Sequence, residues 1–92
     1  MVLIGRTEST LRGTEELIPA NSATASVFTS SVTDEASIKR IADTVGAWDV
    51  LVLNAGHIPS PASIVKAPLA DYWNAYETNV KSIIIAAQAF FP

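Results

Sequence analysis

A chain of 92 residues forms one small domain at most, and a domain of this size buries only a modest share of its unfolded surface. Hydrophobic residues make up 49% and charged residues 16%, which is too apolar for disorder and short of the charged surface that keeps a small free-standing domain soluble, so a missing remainder is expected. A net charge of −3, six scattered Lys and Arg residues, no cysteine and the single His57 exclude a basic stripe for nucleic acid or an anionic membrane, a disulfide framework, a thiolate nucleophile, Cys-ligated zinc and a His cluster.

Val2 to Gly5 reads as a very short apolar strand. Arg6-Thr7-Glu8-Ser9 then opens a helix lined by Leu11, Leu17 and Ile18, and Pro19 stops it. Ala20 to Ala23 is a polar, small-residue loop, Thr24 to Thr29 a second strand centred on Val27 and Phe28, and Ser30 to Asp34 its exit turn. Thr33 can cap the next helix, with Asp34 and Glu35 complementing the dipole in its first turn. Ile38, Ile41, Ala42 and Val45 recur at i, i+3, i+4 and i+7 to make one apolar face, and Gly46 ends that helix.

The organising stretch is Trp48 to Gly56. Val50 to Leu53 are apolar without polar alternation, the pattern of a strand covered on both faces, and Asn54-Ala55-Gly56 ends it in a turn that leaves room for close approach to the main chain. Pro59, Pro61 and Pro68 make the following segment a loop. From Leu69 the positions Trp73, Tyr76, Val80, Ile83, Ile84, Ala87, Phe90 and Phe91 step by three and four, predicting a helix of about six turns that stops at Pro92. Its second half is apolar nearly all round, so a partner helix is expected, from another subunit or from sequence outside the chain. Met1 to Ile4 is too short for a signal-peptide core, and the longest apolar run, Ile83 to Ala87, is far short of the ~18 residues of a membrane span. A cytoplasmic location is the default expectation.

Strand and helix alternate three times, the rhythm of a parallel sheet with right-handed crossovers, so the predicted class is α/β. Parallel strands put their carboxyl ends on one edge, and Gly5-Arg6, Ser31 and Asn54 to Gly56 should therefore converge on one crevice. Each also has an ordinary reading: Arg6 a solvated surface residue, Ser31 turn chemistry, Asn54 to Gly56 a plain strand-ending turn. Asn79 lies mid-helix, where a short amide competes for backbone hydrogen bonds; it either has a specific partner or faces solvent. Trp48, Trp73 and Tyr76 are read as core or helix-packing aromatics, and His57 as a loop residue without a role.

The run Asp49-Val50-Leu51-Val52-Leu53-Asn54-Ala55-Gly56, followed by Trp73 and Asn79-Val80, resembles the short-chain dehydrogenase/reductase family. The family's turn is usually Asn-Asn-Ala-Gly, and Leu53 stands here for the first Asn. The resemblance covers nearly the whole of residues 1–92. It implies part of an NAD(P)-binding Rossmann-like domain with three strands and three helices, lacking the first strand and the C-terminal half of the fold.

By resemblance, Asn54, Ala55 and Gly56 pack against the cofactor, Ser31 takes the place of an Asp that binds the adenine amino group, and the Val32 amide assists. Asn79 matches the family's catalytic Asn, which holds a water that relays protons to a Lys. Arg6 occupies the strand end where such folds put an acid for a ribose 2′-hydroxyl or an Arg for a 2′-phosphate; it favours NADP over NAD, although Glu8 keeps NAD open.

The Gly-rich turn and the Tyr-x-x-x-Lys pair of the family do not occur in this sequence. In the implied strand order 3-2-1-4 the absent strand falls between residues 2–5 and 49–54, which should lie about 10 Å apart rather than pair directly. The leading expectation is a fragment of an NADP-dependent oxidoreductase that interconverts a small carbonyl and an alcohol, inactive as it stands. The alternatives are a non-catalytic nucleotide-binding or oligomerisation module, including a homo-oligomer through helix 69–91, and a truncated product without function.

Overall fold

A computed structural model describes residues 1–91, leaving Pro92 and the predicted helix stop there outside the described residues. Two strands, β1 (Val2–Gly5) and β2 (Ser26–Thr29), pair in parallel, with Val2 opposite Ser26 and Gly5 opposite Thr29. Helix α1 (Glu8–Glu16) makes the crossover between them. It is shorter than the sequence suggests. Leu11 packs half-buried, but Leu17 falls beyond the last turn and is exposed, because Ile18 and Pro19 already belong to the loop.

Helix α2 (Glu35–Val45) follows the predicted periodicity and buries Ile38, Ile41 and Ala42. Its cap is Asp34 rather than Thr33. The Asp34 carboxylate accepts from the Ser37 N–H at 3.1 Å, while the Thr33 hydroxyl is already engaged with Ser31 Oγ at 2.8 Å. Gly46 closes the helix at φ 69°, a conformation costly for any side chain with a Cβ, and donates its N–H to Ala42 O.

The long C-terminal helix is not the unbroken α-helix that the sequence predicts. Helix α3 (Leu69–Tyr76) and helix α4 (Ser82–Phe90) are joined by a π-turn over Glu77–Lys81, in which the Ser82 N–H reaches Glu77 O five residues back. One residue more per turn shifts the face that α4 presents relative to α3. Helix α4 buries Ser82, Ile85 and Phe90, and Ile85 and Phe90 pack with Ile38, Ile41 and Ala42 of α2 as the core; Ile4, Phe28, Leu51 and Trp48 complete its edge. Trp48 is the corner piece, donating Nε1–H to Phe90 O at 3.2 Å and meeting the Phe90 and Phe91 rings edge-on. Trp73 and Tyr76 differ from the expectation of packed aromatics: they stack on each other with centroids 5.1 Å apart, on the exposed side of α3.

The third predicted strand is missing from the sheet. Residues 50–53 enter no ladder, and β1 pairs with β2 alone. Of this stretch only Leu51 reaches the core, while Val50 and Val52 are 79% and 77% exposed. The physical reason is that a strand is defined by its neighbour: without hydrogen-bonding partners alongside, an apolar sequence has no sheet to join. The direct pairing of residues 2–4 with 50–52 that would have contradicted the implied strand order does not occur.

The chain is a slab of 52 × 30 × 18 Å with a radius of gyration of 15.4 Å, where a globule of this length would have about 12 Å. Its accessible surface of 6814 Å² likewise exceeds the roughly 5,200 Å² of a compact monomer of its mass. Among the described residues no helix is long and apolar enough to cross a membrane.

Candidate functional site

The carboxyl ends of β1 and β2 open onto a crevice of about 340 Å³. One wall comes from the first strand exit, Gly5 and Arg6; another from the second, Ser30 to Thr33; a third from Ala55, Gly56 and His57; and the last from Asn74, Glu77 and Thr78 on the helix. Parallel pairing accounts for the convergence, since both strand exits emerge on the same edge. Of the residues singled out in the sequence, Arg6, Ser31, Val32, Ala55 and Gly56 all line this space. Asn54 does not; it is exposed beside the unpaired stretch 50–53.

Asn79 lies behind the crevice rather than in it. Its Oδ1 accepts the His57 N–H at 2.7 Å and its Nδ2 donates to the His57 carbonyl at 2.8 Å. A carboxamide carries one acceptor and two donors, so it can satisfy both main-chain groups of a single residue as a neighbouring strand would. The amide mid-helix thus has a partner 22 positions back in the sequence, and the π-turn that holds it is the departure from α geometry that presents it. His57, assigned no role from the sequence, is the point at which the turn is pinned. A Cβ built on Gly56 would meet the Asn79 Oδ1 at 3.4 Å, an ordinary contact, so the chain's own packing does not demand glycine there.

Ser31 is committed locally. Its Oγ pairs with Thr33 Oγ1 at 2.8 Å and accepts the Thr33 N–H at 3.3 Å. Arg6 is uncommitted: among the described residues the ion pairs are Arg12 with Glu8 and Glu15, and Lys39 with Asp43. An exposed guanidinium at a strand exit, above a turn of small residues, offers forked donors to an anion. Sequence reasoning missed Asn74, Glu77 and Thr78. Their spacing of i, i+3 and i+4 puts three polar residues on one face of the helix, which was a signal available in the sequence.

A family model described as short chain dehydrogenase matches residues 1–92. The chain belongs to the short-chain dehydrogenase family. Among characterised relatives, the short chain dehydrogenase andI of Emericella variicolor is 32% identical over 66 residues, which is 67% of this chain and 23% of that protein. Two solved short-chain dehydrogenases superpose closely. A metagenomic short-chain oxidoreductase in complex with NADP is 27% identical with a TM-score of 0.87, covering 97% of this chain and 42% of its own. A short-chain type dehydrogenase/reductase from Mycobacterium marinum is 25% identical with a TM-score of 0.86, covering 97% and 37%. The chain therefore spans less than half the length of each of these relatives, and what it shares with them is an oxidoreductase family and part of a Rossmann fold.

Proposed function

We propose that these residues form part of the nucleotide-binding half of an NADP-dependent oxidoreductase that interconverts a small carbonyl and an alcohol. The observation that supports this reading is the gathering of Arg6, Ser31, Val32, Ala55 and Gly56 around one crevice. Arg6 would take the ribose 2′-phosphate, which favours NADP(H) over NAD(H), and one solved relative is bound to NADP. The donor set fits that group: a free guanidinium for the phosphate, and a turn of Ala and Gly that lets the nucleotide approach the main chain. Asn54 would join the cofactor's side of that turn. Asn79 would act on the turn through His57 and, in the catalytic arrangement the family implies, hold a water for proton relay.

The bound nicotinamide would supply hydride to the carbonyl carbon or withdraw it from the alcohol. These 92 residues contain neither a Gly-rich turn for the pyrophosphate nor a Tyr-x-x-x-Lys pair for general acid catalysis, so we expect no turnover and negligible NADPH affinity from this chain alone. A cytoplasmic location belongs to the same proposal. Calorimetry that shows micromolar NADPH binding to these 92 residues alone would overturn the expectation of negligible affinity. In a complete oxidoreductase containing these residues, Arg6→Asp should shift preference from NADPH toward NADH, and unchanged NADPH/NADH selectivity would remove Arg6 from the site.

One observation favours a second role alongside this one. Leu69, Trp73, Tyr76, Val80, Ile83 and Ile84 are all exposed along α3, the π-turn and α4. Large apolar side chains left open in this number suit assembly with another copy, so the proposal includes a homo-oligomer through helix 69–91. Sedimentation of the chain against its Trp73→Lys variant would show a shift to monomer.

A further inference from the structure

The outer edge of β2 is open. The Ser26 N–H donates to Met1 O at 2.9 Å and the Ser30 N–H to Gly5 O at 2.8 Å, so in this parallel register Ser26 and Phe28 bond toward β1, and Val27 and Thr29 turn their N–H and C=O groups the other way. Among the described residues no strand receives them, because β2 pairs with β1 alone. Ser26 to Thr29 also carries neither a charged side chain nor a proline, two of the usual guards of an exposed edge. Beside this edge runs a groove of about 250 Å³, lined by Phe28 and Thr29 of β2 and by Ser37, Arg40, Ile41 and Thr44 of α2. None of these residues lines the crevice at the strand exits.

Ser37, Arg40, Ile41 and Thr44 stand at i, i+3, i+4 and i+7, one face of α2 turned toward the strand. Ile41 is buried and Phe28 half-buried, which gives the groove an apolar floor. Arg40 is exposed and enters none of the ion pairs among the described residues; Thr44 donates to its carbonyl at 2.8 Å and leaves the guanidinium free. A free cation over an apolar floor thus lies beside unpaired main-chain donors and acceptors.

We propose that this edge and groove take an extended segment of a partner protein, which adds a strand to β2 and sets an acidic side chain against Arg40. The inference stands apart from the nucleotide reading and does not depend on it. Main-chain bonds to Val27 and Thr29 supply the binding, as in other strand additions, and alternate side chains of the added segment meet the groove. An acidic residue with apolar residues two positions away on either side matches a cation over an apolar floor. The guanidinium presents forked donors, which favours a carboxylate over a neutral side chain. Charge complementarity also decides against a second copy in this place: the β2 of another molecule, Ser-Val-Phe-Thr, brings no carboxylate to Arg40.

The probe is the peptide acetyl-Val-Thr-Glu-Thr-Val-amide, titrated into the ¹⁵N-labelled 92-residue chain; its Glu and both Val residues share one face of a strand. Hydrogen exchange at the Val27 and Thr29 amides should slow, while Phe28, already bonded to β1, keeps its rate. A peptide with Gln in place of Glu should bind roughly two- to five-fold more weakly, the scale of an exposed ion pair. Arg40→Ala should bind the two peptides alike, and retained protection of the α2 amides establishes that the variant is folded. N-methylation of the peptide at its Thr residues, or instead at its Glu and Val residues, should abolish binding in one case only, because one set of amides faces β2. Equal affinity for the Glu and Gln peptides in the unaltered chain, or a difference that survives Arg40→Ala, overturns the proposal. So do protection that develops at Val2 and Ile4 instead, and binding that tolerates N-methylation of either set. Val27 and Thr29 amides already protected by self-association would give the edge to a second copy, and the absence of any response to the peptide overturns the proposal as well.

Discussion

Two apolar stretches of this chain meet opposite fates. Ile38, Ile41 and Ala42 on α2 are buried against Ile85 and Phe90 of α4, whereas Val50, Val52 and Leu53, no less apolar, lie open to solvent. The difference is not hydrophobicity. A helix satisfies its backbone internally and needs only one facing surface, so α2 and α4 can complete each other within these residues. A strand must find both hydrogen-bonding neighbours and covering layers, and residues 50–53 have one contact with the core, through Leu51. Apolar patterning therefore predicts what a segment wants to bury, and only the neighbours decide whether it does.

That contrast can be attacked by mutation, beginning on the packed side. Phe90→Ala should cost about 3–5 kcal/mol and Ile41→Ala about 2–5 kcal/mol, against a total stability of roughly 5–14 kcal/mol for a chain this long. Urea titration followed by circular dichroism should show the transition collapse toward zero denaturant. A midpoint unchanged in both variants would mean that the α2–α4 contact is not the core.

Next in size is the joint between the two sides. Asn79→Ala removes both bonds to the His57 main chain and leaves those groups partly exposed, a loss of about 1–3 kcal/mol confined to the turn. The His57 amide should exchange faster with solvent while the α2 amides keep their protection; uniform acceleration would show that the clamp supports the whole fold instead. Asp34→Ala should cost about 1 kcal/mol through the α2 cap. Thr33→Ala, by contrast, should loosen only the Ser31 turn, and a comparison of the two urea midpoints separates them. The smallest effect belongs to the open side. Val52→Ser should move stability by no more than about 0.5 kcal/mol, since no packing is lost. A larger loss that grows with protein concentration would reveal that a second molecule covers this face.

Much of the site was legible before any coordinates. Alternation of strand and helix predicts parallel pairing, and parallel pairing puts Arg6 and Ser31 on one edge; the Ala55-Gly56 turn lines the same crevice although residues 50–53 join no ladder. Other parts were not legible, for identifiable reasons. The cap moved from Thr33 to Asp34 because the Thr33 hydroxyl had found a closer partner in Ser31, a competition between side chains that composition does not rank. Trp48 and Trp73 both read as packing aromatics in the sequence, yet Trp48 donates to the Phe90 carbonyl while Trp73 stacks on Tyr76 on the exposed side of α3. Their difference is set by which face of the fold each reaches.

The sequence by itself determined the α/β class, the face of α2, the parallel direction of the strands and hence the gathering of the strand ends, because these follow from local periodicity and chain chirality. The tertiary structure alone decided that residues 50–53 stay outside the sheet, that the long helix carries a π-turn at Glu77–Lys81, and that Asn79 grips His57. Pairing of a strand and the grip of Asn79 on His57 depend on groups far apart in the chain. The π-turn, though local in its bonds, sets the helix face that Asn79 presents, so none of the three is fixed by the residues beside it.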